Sequence, residues 1–242
     1  HGARAALEYR DDGFLPEAVF NFMALLGWSL DDKTEIMPPE VVTRNFSLER
    51  VNNSAAIFDQ EKLMWMNGMY IRQLSGPDLA GRIQPFLERD LPSDLLPVDG
   101  DYLLGIVPLI QERTRLLSDA AGLTSYFFQG ELGYDPDSLV QRGMDRQGAK
   151  EALEAALDAL TGAPSFQHEI LEESLRAVAS SLGLSARQFF GTLRVAATGR
   201  QASPPMFETI EVLGRERVLA RVESAIQRIG ATVRSGDASS NA

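Results

Sequence analysis

The chain has 242 residues, enough for one large or two medium domains, and its 44% hydrophobic content is usual for a globular protein. It has no cysteine and only two histidines, which excludes disulfides and thiolate metal sites and argues against a zinc or iron centre. Its apolar runs are too short to cross a bilayer, and a formal net charge of −11, taken alone, argues against a nucleic-acid partner.

Apolar residues recur at three- and four-residue spacing almost throughout, so the pattern predicts a mainly α protein. Pro16 suits the first position of a helix that ends near Gly27, and Ser47 and Asp59 are each placed to cap a following helix. The break at residues 75–78 marks the main predicted domain boundary. Further helices are predicted over residues 60–74, 79–87, 101–121, 150–160, 166–182, 185–198, 204–213 and 214–229.

The charge is unevenly distributed along the chain. Residues 185–236 contain eight arginines and four acidic residues, which leaves a local excess of positive charge on an acidic protein. Such a segment fits either a solvated helical face or a cradle for a nucleic acid, and charge alone favours neither.

The sequence contains no glycine-rich phosphate loop and no convincing Ser-His-Asp arrangement. Adjacent carboxylates such as Glu172 and Glu173 point to different helix faces, so they are expected at the solvated surface, and so is His168. We therefore predict no catalytic, cofactor-binding or metal-ligating residue. Chemistry alone indicates a helical binding domain.

Several blocks together resemble the bacterial-type glutamyl-tRNA synthetases. They are residues 1–3, 9–18, 25–29, 46–51, 56–63, 65–72, 193–199, 203–208 and 213–217. Their order and spacing match that family from residue 1 to about residue 228, most weakly over 127–165. In the family, the first block directly follows the signature lysine loop of the catalytic domain. The resemblance thus implies that the domain holding ATP, Mg²⁺ and glutamate precedes residue 1, and that this chain by itself is non-catalytic.

The resemblance also implies an architecture. Residues 1–76 would form a stem-contact region against the inner corner of the tRNA. An all-α, two-part anticodon-binding helical cage would follow at 77–124 and 125–234, with a flexible tail at 235–242. Within the first region, Trp65, Met66 and Tyr70 have the spacing of a helix core, and Asn67 could bridge helices or touch the RNA backbone.

By the same resemblance, Arg113 aligns with the position that probes the last anticodon base. A planar guanidinium can present forked donors to the acceptor edge of a pyrimidine. The alternative is an ordinary exposed arginine beside Glu112 and Arg115.

The resemblance places a second group of anticodon-binding residues near the C-terminal end. Ser203, Pro204 and Met206 align with a turn that receives an anticodon base, with Ser203 as helix N-cap and Pro204 in the first helical position. The Met206 side chain could stack on a base or pack in the core. Arg176 and Arg194 align with family arginines near the anticodon pocket, and each could equally be a surface salt-bridge partner.

The resemblance therefore predicts the tRNA(Glu)-recognition portion of a glutamate–tRNA ligase, cytoplasmic and monomeric, with no membrane or metal partner. ATP and Mg²⁺ would serve the catalytic domain, and no cofactor is expected on this chain. A free-standing helical adaptor that docks a protein through its acidic face is the alternative. A small-molecule enzyme has little support because titratable residues do not cluster in the sequence.

Overall fold

The computed structural model describes residues 5–52 and 57–237, with residues 232–237 described by their backbone alone. The chain divides into two compact units, His1–Ser125 and Tyr126–Ala242. The described residues form twelve α-helices and no β-strand, which confirms the mainly α fold class.

Seven helices begin in the first unit and five in the second. The first seven are α1 (Ala6–Asp11), α2 (Pro16–Leu25), α3 (Pro39–Asn45), α4 (Gln60–Gln73), α5 (Gly76–Asp90), α6 (Gly100–Ile110) and α7 (Asp119–Phe128). The other five are α8 (Arg146–Gly162), α9 (His168–Ser181), α10 (Ala186–Thr198), α11 (Met206–Leu213) and α12 (Arg215–Asp237).

Two predicted helix starts have the expected chemistry. Pro16 occupies the first turn of α2, where its missing N–H costs no hydrogen bond. Asp59 caps α4, because its carboxylate accepts a 3.0 Å bond from the Lys62 N–H. The predicted cap at Ser47 is wrong: only a three-residue 3-10 turn follows, and Ser47 makes no cap bond. The chain then leaves the turn because the Asn52 N–H bonds the Gly27 carbonyl at 2.7 Å.

The single helix predicted over residues 101–121 is also wrong. Helix α6 stops at Ile110, and a 3-10 turn, Gln111–Arg113, follows it. Asp119 then starts α7, because its carboxylate accepts the N–H groups of Arg115 and Leu116 at 3.0 and 2.8 Å. These bonds hold residues 114–118 in a non-helical connection, although their apolar spacing continues the helical pattern.

One hydrophobic cluster of the first unit lies where α2 packs on α4. Phe14, Phe22, Leu63 and Met66 are its buried members. Tyr70 lies in the buried face of α4 with Met66, as expected, whereas Trp65 is 41% exposed. One residue along a helix turns the side chain by roughly 100°, which carries Trp65 away from the buried face.

The second unit is built on α12, which packs along α8 and also contacts α10 and α11. Its core includes Leu153, Leu175, Phe189 and Val222, all buried. Helix α10 ends at Gly199, whose φ of 70° is the left-handed conformation that terminates a helix most cheaply at glycine.

The functional boundaries drawn from the resemblance stay predictions. The structural division between Ser125 and Tyr126 lies beside the one drawn at 124/125. The boundary drawn at residue 76 falls inside the first unit, between α4 and α5. Helix α12 continues to Asp237, three residues into the segment predicted as a tail, and residues 238–242 lie outside the described residues.

Candidate nucleic-acid interface

Arg113 ends the 3-10 turn that follows α6. The turn is closed by Thr114, whose N–H and hydroxyl bond the Ile110 carbonyl at 3.0 and 2.9 Å. Arg113 is exposed, and within the described part of the chain no hydrogen bond, ion pair or ring contact holds its side chain. The guanidinium is therefore available to an external acceptor, while the backbone that carries it is held.

Arg176 lies in a cluster that joins three helices of the second unit. Its guanidinium pairs with Glu172, one turn earlier on α9, at 2.6 Å. It also lies 5.6 Å from the ring centre of Phe190 on α10 and 5.9 Å from that of Phe207 on α11. The two rings meet edge to face at 5.3 Å. The surface salt bridge considered from the sequence exists, and it holds Arg176 over two aromatic rings.

Arg194 follows Phe190 by one turn of α10, so both lie on the same face of that helix. Its side chain is half-buried, and its Nε is shut off from solvent without a hydrogen-bond partner among the described residues. Buried donors in folded proteins are nearly always satisfied, and an unsatisfied one costs about 1–3 kcal/mol.

The turn before α11 differs from its predicted form. Helix α11 begins at Met206 with Pro205 in the N-cap position, so Ser203 does not cap it and Pro204 is not its first residue. The Ser203 hydroxyl donates instead to the Pro204 carbonyl at 3.0 Å. The physical reason is that a residue before proline is disfavoured in the helical region, which keeps Ser203 and Pro204 out of the helix. Pro205 is itself non-helical, with ψ at 129°.

The residues of this turn differ in their exposure to solvent. Ser203, Pro204 and Met206 are buried, and the Met206 side chain is only 5% exposed. Of the two alternatives for that side chain, core packing is therefore the one found. The first N–H groups of α11 begin at Met206 and have no acceptor within their own helix, so the backbone remains the polar feature of this turn.

Much of the arginine excess near the C-terminal end has an internal use. Arg215, Arg217, Arg221 and Arg228 each donate to backbone carbonyls elsewhere in the second unit. Arg200 lies 4.9 Å from the centre of the Tyr126 ring. Five of the eight arginines are therefore held by contacts within the second unit, and Arg194 and the exposed Arg187 are the members with no such contact among the described residues.

The predicted residues fall into two groups. In the second unit, Arg176 is joined to α10 and α11 through Phe190 and Phe207, and Arg194 shares the Phe190 face of α10. Arg113 lies in the first unit. Sequence reasoning missed Phe190, although its spacing of four residues before Arg194 was an available signal.

His168 at the start of α9 is held by α11. Its Nδ1 lies 2.6 Å from the Glu211 carboxylate, which also accepts the His168 N–H at 3.1 Å. The Glu211 hydrogen bond raises the pKa of His168 above its ordinary value, with further support from Glu169 and Glu208. The contact links the helix carrying Arg176 to the helix that begins at Met206.

Comparison with known proteins assigns this arrangement to a family. Residues 78–226, which include all six predicted site residues, match the family described as "Anticodon binding domain". A glutamate–tRNA ligase of Dehalococcoides mccartyi (strain ATCC BAA-2266 / KCTC 15142 / 195) is 46% identical over 233 residues, covering 95% of this chain and 48% of that protein. The chain belongs to the bacterial glutamyl-tRNA synthetase family.

Other members of the glutamyl-tRNA synthetase family are also similar to this chain. A glutamate–tRNA ligase of Roseiflexus castenholzii (strain DSM 13941 / HLO8) is 43% identical over 94% of this chain and 45% of that protein. A crystal structure of a glutamate tRNA ligase from Elizabethkingia meningosepticum, in complex with its amino acid, has a TM-score of 0.80 at 26% identity. The structural match covers 91% of this chain and 43% of the Elizabethkingia chain.

The chain spans about half the length of the glutamyl-tRNA synthetases it matches. Residues 3–65 match the family described as "tRNA synthetases class I (E and Q), catalytic domain". That match overlaps residues which the resemblance assigned to stem contact, and the functional boundary between the two regions stays a prediction.

Among the residues that the structure describes, no helix is long and apolar enough to cross a membrane. Within the same residues, no group of three or more histidine or acidic side chains is arranged to hold a metal ion.

Proposed function

We propose that this chain is the tRNA(Glu)-recognition portion of a glutamyl-tRNA synthetase, which positions the tRNA and reads its anticodon. The observation that carries the proposal is Arg113: an exposed guanidinium for which the described residues offer no partner, on a turn that is itself held. Such a group can address a splayed base, because bases in RNA loops offer their hydrogen-bonding edges to side chains.

The second unit supports the same function through different chemistry. Arg176 lies against the aromatic pair Phe190–Phe207, in which Phe190 belongs to the core, and Arg194 lies one turn from Phe190 on α10. Aromatic rings and guanidinium planes are the surfaces on which proteins stack unpaired bases. With the N–H groups at the start of α11, they would receive a second part of the anticodon loop.

The whole protein would use this recognition for ATP-dependent glutamylation of tRNA(Glu). ATP and Mg²⁺ would be held by its catalytic domain, and we assign no step of that chemistry to the residues of this chain. In this proposal the protein acts as a monomer in the cytoplasm, with tRNA as its partner.

Binding of two hairpin RNAs by the 242-residue chain tests the proposal. The hairpins carry the anticodon stem-loop of tRNA(Glu), one with cytosine and one with guanine as the last anticodon base. We expect the wild-type chain to prefer cytosine, and Arg113→Gln to lower that preference by roughly tenfold or more, since a bidentate base contact is worth about 1–3 kcal/mol of discrimination.

Arg44→Gln is the matched control, because Arg44 is an exposed arginine of the same unit. It removes the same charge and should lower affinity for both hairpins equally, if at all. A cytosine preference that survives Arg113→Gln would contradict the assignment of Arg113. Equal binding of both hairpins and of an unrelated one by the wild-type chain would contradict anticodon recognition altogether.

A further inference from the structure

The turn that carries Arg113 is bonded to α4 on both sides of Arg113. Before it, the Gln111 side-chain amide donates to the carbonyls of Ile71 and Leu74, both at 2.9 Å. After it, the Arg115 carbonyl accepts a 2.6 Å bond from the Asn67 amide. Arg113 itself makes no such bond within the described residues, so its neighbours locate it.

The Gln111 bonds suit the end of a helix. The last carbonyls of an α-helix have no intrahelical N–H partner, and a primary amide offers two donors on one nitrogen. Gln111 supplies both donors at the C-terminal end of α4, in a half-buried position where water competes weakly. A 3-10 turn of three residues, which has little stability of its own, is thereby fixed to a fourteen-residue helix.

The neighbouring ion pair is a weaker attachment. Glu112 meets Arg72 at 3.1 Å, but the Glu112 side chain is 79% exposed. Exposed pairs contribute little, because water screens them and two long side chains must be ordered. The Gln111 hydrogen bonds are thus a stronger attachment of this turn to the end of α4 than the Glu112–Arg72 ion pair is.

We propose that Gln111 is a positioning residue for base reading by Arg113, a role that rests on the proposed function of Arg113. Discrimination by a forked guanidinium requires placement within a fraction of an ångström, whereas attraction to phosphates depends mainly on charge. Loss of the Gln111 anchor leaves the charge of Arg113 in place and frees the position of its backbone. Base discrimination then falls while overall affinity for RNA changes little.

The test uses the 242-residue chain and the cytosine and guanine hairpins described above, with binding followed by fluorescence anisotropy. Gln111→Met keeps the length and the neutral charge of the side chain and removes both donors. Gln60→Met is the matched control, because Gln60 is an exposed glutamine at the opposite end of α4. We expect Gln111→Met to lower the cytosine preference by about threefold to tenfold, part of the Arg113 effect, with the salt dependence of binding unchanged and the control like wild type.

Combining Gln111→Met with Arg113→Gln separates positioning from a general structural effect. If Gln111 acts through Arg113, the double variant has the same cytosine preference as Arg113→Gln alone. If Gln111→Met lowers the melting temperature too far for measurement, Gln111→Asn replaces it, since it keeps the amide but shortens its reach by one methylene.

The outcomes distinguish the two proposals. A cytosine preference that Arg113→Gln lowers and the Gln111 variants leave intact would overturn the positioning role while the proposed function stands. Additive losses in the double variant would overturn it as well. A preference unaffected by Arg113→Gln would reject the reading role of Arg113, and the positioning role with it.

Discussion

The side-chain oxygen of Asn67 accepts a 2.7 Å hydrogen bond from the backbone N–H of Leu15, which lies 52 residues earlier in the chain. The amide nitrogen of the same side chain donates to the carbonyl of Arg115, 48 residues later. Asn67 is fully buried and therefore joins the start of α2, the middle of α4 and the connection before α7. Of the two roles considered from the sequence, bridging is the one found.

Replacing Asn67 should be costly, because Asn67→Ala leaves the buried Leu15 N–H and the part-buried Arg115 carbonyl without this partner. We expect the free energy of unfolding to fall by roughly 2–4 kcal/mol in urea titrations. Asn45→Ala is the control, since Asn45 is exposed and makes one local bond to Val41, and its cost should stay below about 0.5 kcal/mol. Equal costs for the two variants would show that the Asn67 bridge contributes little.

Gly13 is required by its surroundings. Its φ is 93°, and a Cβ there would lie 2.6 Å from the Ser118 nitrogen and 2.7 Å from the Leu117 nitrogen. Both are backbone atoms, and Leu117 bonds the Gly13 carbonyl at 2.9 Å, so neither can move aside cheaply. We predict that Gly13→Ala lowers the free energy of unfolding by roughly 2–4 kcal/mol, measured by thermal or urea unfolding.

The matched control for that variant is Gly122→Ala. Gly122 lies within α7, is exposed, and has open space where its Cβ would be. Alanine there should stabilise by about 0.5–1 kcal/mol, because it favours the helix. The two Gly→Ala changes should thus have opposite signs, and destabilisation by both would contradict this account.

Arg221 is a buried cap for two helix ends. Its guanidinium donates at 2.6 Å to the carbonyls of Ala197, Tyr126 and Gln129. Arg221→Leu should cost about 3 kcal/mol of unfolding free energy, and Arg221→Lys should recover only part of this, because an ammonium cannot reproduce the planar fork. Chemical unfolding followed by circular dichroism measures both. Arg187→Leu, at an exposed arginine of the same unit, should change stability by less than about 0.5 kcal/mol.

The His168–Glu211 contact should make stability depend on pH. Its hydrogen bond raises the pKa of His168 in the folded state above the ordinary value of 6.5, so folding favours the protonated ring. The stabilisation is therefore fully present below pH 6.5 and is lost as the pH rises through the higher folded-state pKa. The melting temperature of wild type should exceed that of His168→Gln at pH 6, and the two should converge at alkaline pH. A constant difference between pH 6 and pH 9 would rule out titration of His168 as the cause.

The helical elements were predicted well where the signal is local. Asp59 and the Lys62 N–H are three residues apart, so their cap depends on little beyond the nearby sequence. The prediction failed at residues 111–118 because apolar spacing there continues a helical pattern. The bonds that interrupt the pattern run to Asp119 nearby, but also to α4, some forty residues earlier.

The candidate site likewise has features that the sequence predicts and features that depend on contacts between distant residues. Arg113, Arg176 and Arg194 were predicted from the resemblance, and sequence alone could not say which arginines are held by contacts within the chain. The partner of Arg221 at Tyr126 is 95 residues away, and the partner of Arg217 at Phe127 is 90 residues away. From composition, these side chains are positive charges that could attract RNA. In the structure, they donate hydrogen bonds to backbone carbonyls of the chain itself.

By itself, the sequence determined the helical class and several helix starts, because these depend on residue types at short and regular spacing. The family came from the resemblance of several sequence blocks to known members. The tertiary structure alone decided that α6 ends before Arg113, that Trp65 is exposed and Met206 buried, and that the Arg194 Nε has no hydrogen-bond partner among the described residues. Those outcomes depend on where distant carbonyls, carboxylates and rings meet, and such meetings are set by packing between helices rather than by the periodicity within any one of them.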